Sequence, residues 1–351
     1  MSLWTKRHTI PVVLDKYSYA LSTVLDGKIW TLCDNRSTNG VCNQTRLFVF
    51  DPVSEVFTEI NCVCPVVLPD ELIRLSSDGR DLYIWREPDT WSHIDRNLYK
   101  LNIATLEWEQ IMSIRTENTY FIWVSVVVIE KIMYILEQTH ESSSSLITID
   151  FSKKEVTQRQ QLEGLEDSWN ECLSTNNNNL YMMNCQNGIR RVSEVKNGEL
   201  IEVAREELSD NVLRIGKSVH CDDSNDFVRL EYRDQTYELR EFDFQTLKWE
   251  TLDPHWSKLF KNSYLSSAIK VNGSIHISRM TVVNGGYQYE FYELDLHPTL
   301  QSICLDDLTT RLHEKKDELE IEEMKQQLPT QLRPKLEELL EWRNDLKKRS
   351  S

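Results

Sequence analysis

The sequence lacks an apolar run long enough to cross a membrane. Its longest nearly unbroken apolar stretch runs from Phe121 to Ile129, whereas a membrane helix needs about 20 such residues. The first 16 residues also lack the continuous apolar segment and the small-residue cleavage site of a secretory signal. We therefore expect no membrane contact and a cytoplasmic or nuclear location.

Positive charge is scarce relative to negative charge. The chain carries 40 Lys and Arg residues against 56 Asp and Glu residues, which gives a formal net charge of −16. Such an excess repels a phosphate backbone unless a basic patch is locally concentrated, and the sequence has no basic run of useful length. Nucleic acid is therefore not an expected partner.

Cysteine and histidine pairs with metal-ligand spacing are also absent. Of the 8 cysteines, only Cys62 and Cys64 lie close together in the sequence, and no second pair accompanies them. A structural zinc site needs two such pairs, and free thiols are the default outside the secretory pathway. We expect no metal and no other cofactor.

What the sequence does contain is a repeat of about 50 residues, a period typical of propellers and solenoids. Short β-type segments that end in an acidic or polar residue recur at steps of 51, 48, 43, 50 and 52 residues. Before each of them stands a tight-turn signal followed by a strand pattern, such as Asp26-Gly27 or Asn272-Gly273. These dipeptides supply the positive φ of a two-residue hairpin turn. The recurring segments are LFVFD, LYKLN, LITID, IRRVS, LREFD and FYELD.

Each repeat is interpreted as four strands, which we call a, b, c and d in chain order. A four-stranded sheet of this size cannot bury both faces alone, but sheets arranged radially cover one another. The sequence therefore predicts an all-β fold, a six-bladed β-propeller over residues 17–305. An irregular pair of β-sandwiches is the alternative, since evenly spaced strands also suit it.

The two ends of the chain differ from the repeats. In the N-terminal segment, residues 1–16, the stretch from His8 to Leu14 is apolar and β-branched, and we expect it to supply the outer strand of the last blade. Residues 306–351 have no glycine and show apolar spacing of helical period, which predicts a C-terminal α-helical extension. This extension is either a partner-binding or oligomerising helix pair, or a terminal segment packed on the propeller or solvated.

The junction between strands c and d carries a motif of the form D/N-x-x-T-x-x-W. It is present from Asn102 to Trp108 and from Asp243 to Trp249, with a close variant from Asp51 to Phe57. This motif resembles that of the kelch repeat. The resemblance implies that the acidic residue and the hydroxyl close the c–d turn, and that the aromatic residue packs between blades. The chain departs from the kelch pattern in glycine, because its only Gly-Gly pair, Gly285-Gly286, lies in a loop.

The b–c and d–a connections emerge at one end of the propeller, and in this sequence they are the long ones. We call this end the loop face and expect it to be the binding face, because function concentrates in loops held on a rigid scaffold. Arg and aromatic residues, which are enriched at interface hot spots, are the candidates there. The partner-binding candidates are Arg36, Arg86, Trp91, His93, Trp256, Arg279 and Tyr287.

These observations lead to an expected function. We expect a non-enzymatic adaptor or scaffold that binds a protein partner on the loop face, with the helical extension as a second contact. The kelch resemblance implies a ubiquitin-ligase substrate receptor or a cytoskeletal binder. The alternative is a glycosidase-like propeller hydrolase acting at the central channel, although no nucleophile elbow, phosphate loop or H-E-x-x-H motif is present.

Overall fold

The structure of the chain is a computed structural model. The structure describes most of the residues up to Asp295. The described residues are 3–14, 20–36, 42–65, 71–88, 94–116, 121–139, 144–162, 165, 169–176, 178–208, 227–233, 236–253, 264–271, 274–283, 286–295 and 337.

Four antiparallel sheets of four strands follow one another along the chain, each in the order a-b-c-d. Blade 1 comprises β2 (Ala20–Leu25), β3 (Lys28–Arg36), β4 (Cys42–Asp51) and β5 (Val56–Ile60). Blade 2 comprises β6 (Glu71–Ser77), β7 (Leu82–Pro88), β8 (Ile94–Asn102) and β9 (Glu107–Thr116). Blade 3 comprises β10 (Phe121–Ile129), β11 (Ile132–Thr139), β12 (Ser144–Asp150) and β13 (Glu155–Leu162). Blade 4 comprises β14 (Trp169–Asn176), β15 (Asn179–Gln186), β16 (Ile189–Lys196) and β17 (Glu199–Glu207).

Two further sheets complete the described propeller. The three-stranded sheet consists of β18 (Phe227–Arg233), β19 (Thr236–Asp243) and β20 (Lys248–Asp253). These strands correspond to b, c and d, because the turn between β19 and β20 is the c–d turn of the repeat. The closing blade contains β21 (Tyr264–Val271), β22 (Ser274–Val283), β23 (Gly286–Asp295) and, from the other end of the chain, β1 (Leu3–Leu14).

The N-terminal strand holds the outer position of the closing blade. β1 runs antiparallel to β23, with Leu3 paired to Asp295 and Leu14 paired to Tyr287. The sheet order is β1-β23-β22-β21, so the first strand of the chain completes a sheet that the last three strands begin. The ring is therefore closed by backbone hydrogen bonds between the two ends of the propeller.

The structure corrects two expectations about the architecture. It contains five four-stranded blades rather than six, because the sheet of β18 to β20 has three strands among the described residues. The segment expected to supply its innermost strand, residues 209–226, lies outside them. The expected helical extension over 306–351 is not seen: apart from Glu337, which is helical and exposed, it too lies outside the described residues. No helix in the described part of the chain has the length and apolar character of a membrane span.

The hydrophobic core lies between the sheets rather than within one layer. The innermost strand β2 contacts β6 and β21, while β10 contacts β6 and β14, so the first strands surround the axis. Strands b and c are buried on both faces, as Ile29 to Cys33 of β3 show, because each face packs on a neighbouring blade. The outer strands β13 and β17 are mostly exposed, which explains their polar sequences.

The c–d turns share one geometry, and they define the end of the propeller that we call the turn face. In each turn an Asp or Asn side chain accepts a hydrogen bond from the backbone N–H group two residues later. In three of the turns it also accepts one from the backbone N–H group three residues later. The residue four positions after it has a positive φ between 53° and 58°. The turn-closing side chains are those of Asp51, Asn102, Asp150 and Asp243.

The aromatic residue that follows the turns at Asp51 and Asp243 packs between sheets. Trp249 of β20 lies beneath the Arg190 guanidinium of blade 4, with 4.6 Å from the guanidinium carbon to the ring centroid. Phe57 of β5 lies 5.3 Å from Phe291 of the closing blade. The D/N-x-x-T-x-x-W pattern thus couples a local turn to the packing of neighbouring sheets.

Candidate functional site

Beneath the loop face, strand b changes from apolar to polar at one shared register position. In each sheet, one residue of strand b pairs with the last apolar residue of strand c, and the shared position lies four residues further along strand b. In blade 2, Leu82 pairs with Leu101, so the shared position is that of Arg86. Five of the six residues at this position are charged or carry an amide, and we call the set the polar layer. Its members are Cys33, Arg86, Glu137, Asn184, Glu231 and Arg279.

Glu137 is a fully enclosed charged member of the polar layer. Its side chain is 0% exposed, and it forms an ion pair with Arg96, which comes from β8 of the preceding blade and is 2% exposed. A second arginine, Arg159 of β13, places its Nη2 atom 3.3 Å from the other Glu137 carboxylate oxygen. Two guanidinium groups therefore compensate one carboxylate across the boundary of blades 2 and 3.

A second arginine–glutamate–arginine group joins blade 4 to the three-stranded sheet. Arg190 of β16 donates to Glu206 of β17 at 2.9 Å, and Arg240 of β19 donates to the other oxygen of the same carboxylate at 2.8 Å. Both guanidinium groups also lie over the Trp249 ring, Arg240 at 5.9 Å from its centroid. The indole thus shields these charges and adds cation–π attraction.

The closing blade contributes a further buried carboxyl side chain. Glu290 of β23 is 2% exposed and accepts a hydrogen bond of 2.7 Å from the Tyr292 hydroxyl. Its register partner on β22 is Arg279 of the polar layer. Buried charges are costly unless they are paired, and they concentrate at functional sites and at structural ion-pair networks.

The structure places four of the seven predicted site residues on strands. Arg36 ends β3, Arg86 lies in β7, Arg279 lies in β22 and Tyr287 is the second residue of β23. The closing blade, blade 1 and blade 2 are consecutive around the ring, so these positions share one side of the propeller. The other three predicted residues, Trp91, His93 and Trp256, lie outside the described residues.

Sequence reasoning missed the buried charges. It searched the loops for candidates, whereas Arg96, Glu137, Arg190, Arg240 and Glu290 lie within strands. The sequence did contain a signal for the polar layer. In five repeats, a polar residue stands four positions after the b-strand residue that pairs with the last apolar residue of strand c. The pairing of Arg96 with Glu137 across 41 residues needed the structure.

Thiol and metal chemistry find little support in the described residues. No group of three or more His, Cys, Asp or Glu side chains is placed there to share a metal ion. Cys62 packs against the core between blades 1 and 2, and burial raises the pKa of its thiol, an effect partly opposed by a hydrogen bond with Trp108. A thiol with a raised pKa is a poor nucleophile.

Comparison with known proteins gives structural matches alone. No family model matches the chain, and no curated protein matches it. The fold is similar to a variant of the α-L-arabinofuranosidase arb93a from Fusarium graminearum bound to an iminosugar inhibitor, at 10% identity and a TM-score of 0.54, over 84% of this chain and 98% of that one.

Two archaeal propellers are similar at lower scores. The β-propeller domain of the trilobed protease from Pyrococcus furiosus matches at 10% identity and a TM-score of 0.45, over 77% of this chain and 79% of that one. The acylaminoacyl peptidase from Pyrococcus horikoshii matches at 9% identity and a TM-score of 0.45, over 79% of this chain. The chain spans 44% of that peptidase.

These matches bear on two expectations. The propeller is confirmed by the arabinofuranosidase match, whereas the kelch assignment is not confirmed, because no family model matches the chain. The expectation that the chain is not an enzyme is wrong, because the arabinofuranosidase match shows that this fold occurs in a hydrolase, so the absence of familiar motifs gave no ground for excluding catalysis. At 10% identity the arabinofuranosidase match establishes the fold alone.

Proposed function

We propose that this chain is a propeller hydrolase that acts on a glycosidic bond at the loop face, where the central channel opens. The observation that carries the proposal is the polar layer, which places charged or amide residues at one register position in five of six sheets. A fold stabilised by apolar contacts alone has no need of such a layer, because paired buried charges add little or no net stability.

The chemistry of a sugar suits this layer. Sugar hydroxyl groups donate and accept hydrogen bonds, and the layer contains both kinds of residue: arginine is a donor, as at Arg86 and Arg279, and glutamate is an acceptor, as at Glu231. Glycoside hydrolysis also uses carboxylates, one as acid and one as base or nucleophile. Further support comes from the fold, because an arabinofuranosidase matches over 98% of its own chain, so a propeller of this extent suffices for a glycosidase.

A protein partner on the same face is the second candidate. It is favoured by the loop-face candidates Arg36, Trp91, His93, Trp256 and Tyr287, since Arg, Trp and Tyr dominate binding energy at interfaces. The partner would be a cytoplasmic or nuclear protein. The two candidates differ in one measurable respect, because only the first predicts turnover of a small substrate.

The test is a hydrolysis assay with the purified chain and a panel of 4-nitrophenyl glycosides that includes the α-L-arabinofuranoside. We expect release of nitrophenol from at least one of them, and a fall in kcat/KM of about tenfold or more in Arg86→Gln and in Arg279→Gln, which remove charged hydrogen bonds. Lys248→Gln, an exposed cation at the start of β20 on the turn face, should leave kcat/KM unchanged.

Two results would overturn the proposal. One is the absence of hydrolysis with every glycoside in the panel. The other is hydrolysis that Lys248→Gln reduces as much as the arginine variants do. If the intact chain instead retains a cytosolic protein that is lost when Arg86, Trp91 and Trp256 are replaced by Ala, the second candidate is supported.

A further inference from the structure

The turn face carries a cleft between blades 2 and 3. It has a volume of about 620 Å³, within the range of small-ligand sites. Residues from the a–b turns of both blades and from the c–d turn of blade 3 border it: Asp78, Arg80, Asp81, Glu130, Lys131, Phe151, Ser152 and Lys154. It lies at the opposite end of the propeller from the polar layer, so it is independent of the proposed hydrolase site.

The floor of the cleft is aromatic and apolar. The rings of Tyr83 and Phe151 lie 4.7 Å apart between centroids and are inclined by 31°, and Ile111 lies beside them. Tyr83 is buried and its hydroxyl donates a hydrogen bond of 2.9 Å to Asp78. Burial, and then that hydrogen bond, raise the pKa of Tyr83, so its ring stays neutral. Phe151 is half-buried and faces the cleft.

Three of the four carboxylates around the cleft are already engaged. Asp78 accepts hydrogen bonds from Tyr83 and from the backbone N–H groups of Arg80 and Asp81. Asp81 lies 2.7 Å from the Lys100 ammonium, and Glu109 pairs at 3.5 Å with Lys154. These contacts satisfy much of the hydrogen-bonding capacity of the three carboxylates and leave Glu130 as the fourth.

Two cations on the rim have no such partner. Arg80 and Lys131 are exposed, and neither side chain forms an ion pair within the part of the chain that the structure describes. They come from the a–b turns of adjacent blades, so they flank the cleft from two sides. Their two positive charges equal the negative charges of Glu130 and Asp78, so the lining is neutral overall, and Arg80 and Lys131 are its two cations without a carboxylate partner among the described residues.

We propose that this cleft binds a small anionic ligand that carries a flat apolar ring. The ring packs on Phe151 and Ile111, and the anionic group contacts Arg80 and Lys131. A guanidinium binds carboxylate and phosphate oxygens alike, so the shared chemistry is a ring-bearing anion, with a phosphate ester or an aromatic carboxylate as its two sources.

The experiment is calorimetric titration of the full chain with phenyl phosphate and with benzoate, and with benzyl alcohol as an uncharged reference. We expect saturable binding of at least one anion and none of benzyl alcohol. The double variant Arg80→Gln, Lys131→Gln should weaken binding about tenfold or more, the effect of losing charged hydrogen bonds. The matched control Lys248→Gln removes one exposed cation elsewhere on the turn face and should bind as the unaltered chain does.

The outcomes separate cleanly. Tighter binding of phenyl phosphate identifies phosphate esters, and tighter binding of benzoate identifies carboxylates; either supports the site. The proposal is overturned if neither anion binds, if benzyl alcohol binds as tightly, or if Lys248→Gln weakens binding as much as the double variant. All variants are exposed polar substitutions, and thermal unfolding would verify that each is folded.

Discussion

Arg96 of blade 2 and Glu137 of blade 3 form an ion pair that is closed to solvent, their side chains being 2% and 0% exposed. The two residues belong to different sheets, so the contact exists only when the blades are packed. Removal of one partner leaves a charge buried without compensation. The pair therefore makes the packing of these two blades depend on a polar contact within a largely apolar interface.

We predict that Glu137→Ala lowers the free energy of unfolding by about 3–5 kcal/mol, because it strands the buried Arg96 guanidinium. Urea denaturation followed by tryptophan fluorescence measures this change. The double variant Arg96→Met, Glu137→Leu, which replaces both charges by apolar groups of similar size, should recover most of the loss. If Glu137→Ala is as stable as the unaltered chain, the ion pair is not enclosed.

We predict that acid weakens the fold through the aspartates of the c–d turns. Hydrogen bonds hold the pKa of Asp243 below its usual value, first from the Thr246 hydroxyl and then from backbone N–H groups. The pKa of Asp150 is lowered in the same way, first by the Ser152 hydroxyl, whereas the pKa of Asp51 is lowered first by backbone N–H groups and then by Lys28. A folded-state pKa below the unfolded one means that the folded state binds fewer protons, so this stabilisation exists above the unfolded pKa and is lost as pH falls.

The measurement is the melting temperature between about pH 5 and about pH 3, the range in which unfolded aspartate titrates. A variant with Asn at positions 51, 150 and 243 should lose less of its melting temperature over this range than the unaltered chain. Blade 2 provides the converse control, because Asn102 already occupies the same turn position. Asn102→Asp should steepen the pH dependence, and identical slopes in all three proteins would refute the assignment.

We predict that Leu247→Gly stabilises the protein by about 0.5–1 kcal/mol. Leu247 has a φ of 56°, a conformation that costs a side chain with a Cβ atom roughly 1–2 kcal/mol, and it is 44% exposed, so little burial is lost. Glycine removes this conformational cost from the folded state. It also raises the conformational entropy of the unfolded chain, and this offsets part of the gain in stability. Val53→Gly is the control: Val53 is an exposed apolar residue of another c–d turn, without a positive φ, and its replacement should not stabilise.

We predict that deletion of residues 1–14 destabilises the whole propeller, because β1 supplies the outer strand of the closing blade and pairs with β23 along most of its length. Calorimetry should show a lower melting temperature and a broader transition. A chain that lacks only residues 1–2, which precede β1, is the control. An unchanged transition in the larger deletion would show that the ring does not depend on this strand.

Much of the architecture could be predicted from the sequence because its determinants are local. Asp-Gly turns such as Asp26-Gly27 specify hairpins through positive φ, and both residues adopt it. The D/N-x-x-T pattern specifies the c–d turn, and Asp243 indeed accepts hydrogen bonds from Gln245 and Thr246. Short-range chemistry of this kind is visible in the sequence without knowledge of the tertiary fold.

The candidate sites depend on register and on contacts between blades, which the sequence does not display. Arg190 and Arg240 share Glu206 only because blade 4 packs on the three-stranded sheet. Arg80 and Lys131 flank one cleft although 51 positions separate them in the sequence. The loop-face candidates were chosen by residue type, and residue type alone did not identify the buried charges beneath them.

The most direct test of the central claim, that the loop face is the substrate-binding face of a glycosidase, is hydrogen–deuterium exchange of the chain with and without an arabinofuranose-configured iminosugar. We expect slower exchange in peptides that contain Arg36, Arg86 and Arg279, at the loop-face side of β3, β7 and β22. Protection confined to the turns at 78–81 and 130–131, or no protection in any peptide, would contradict it.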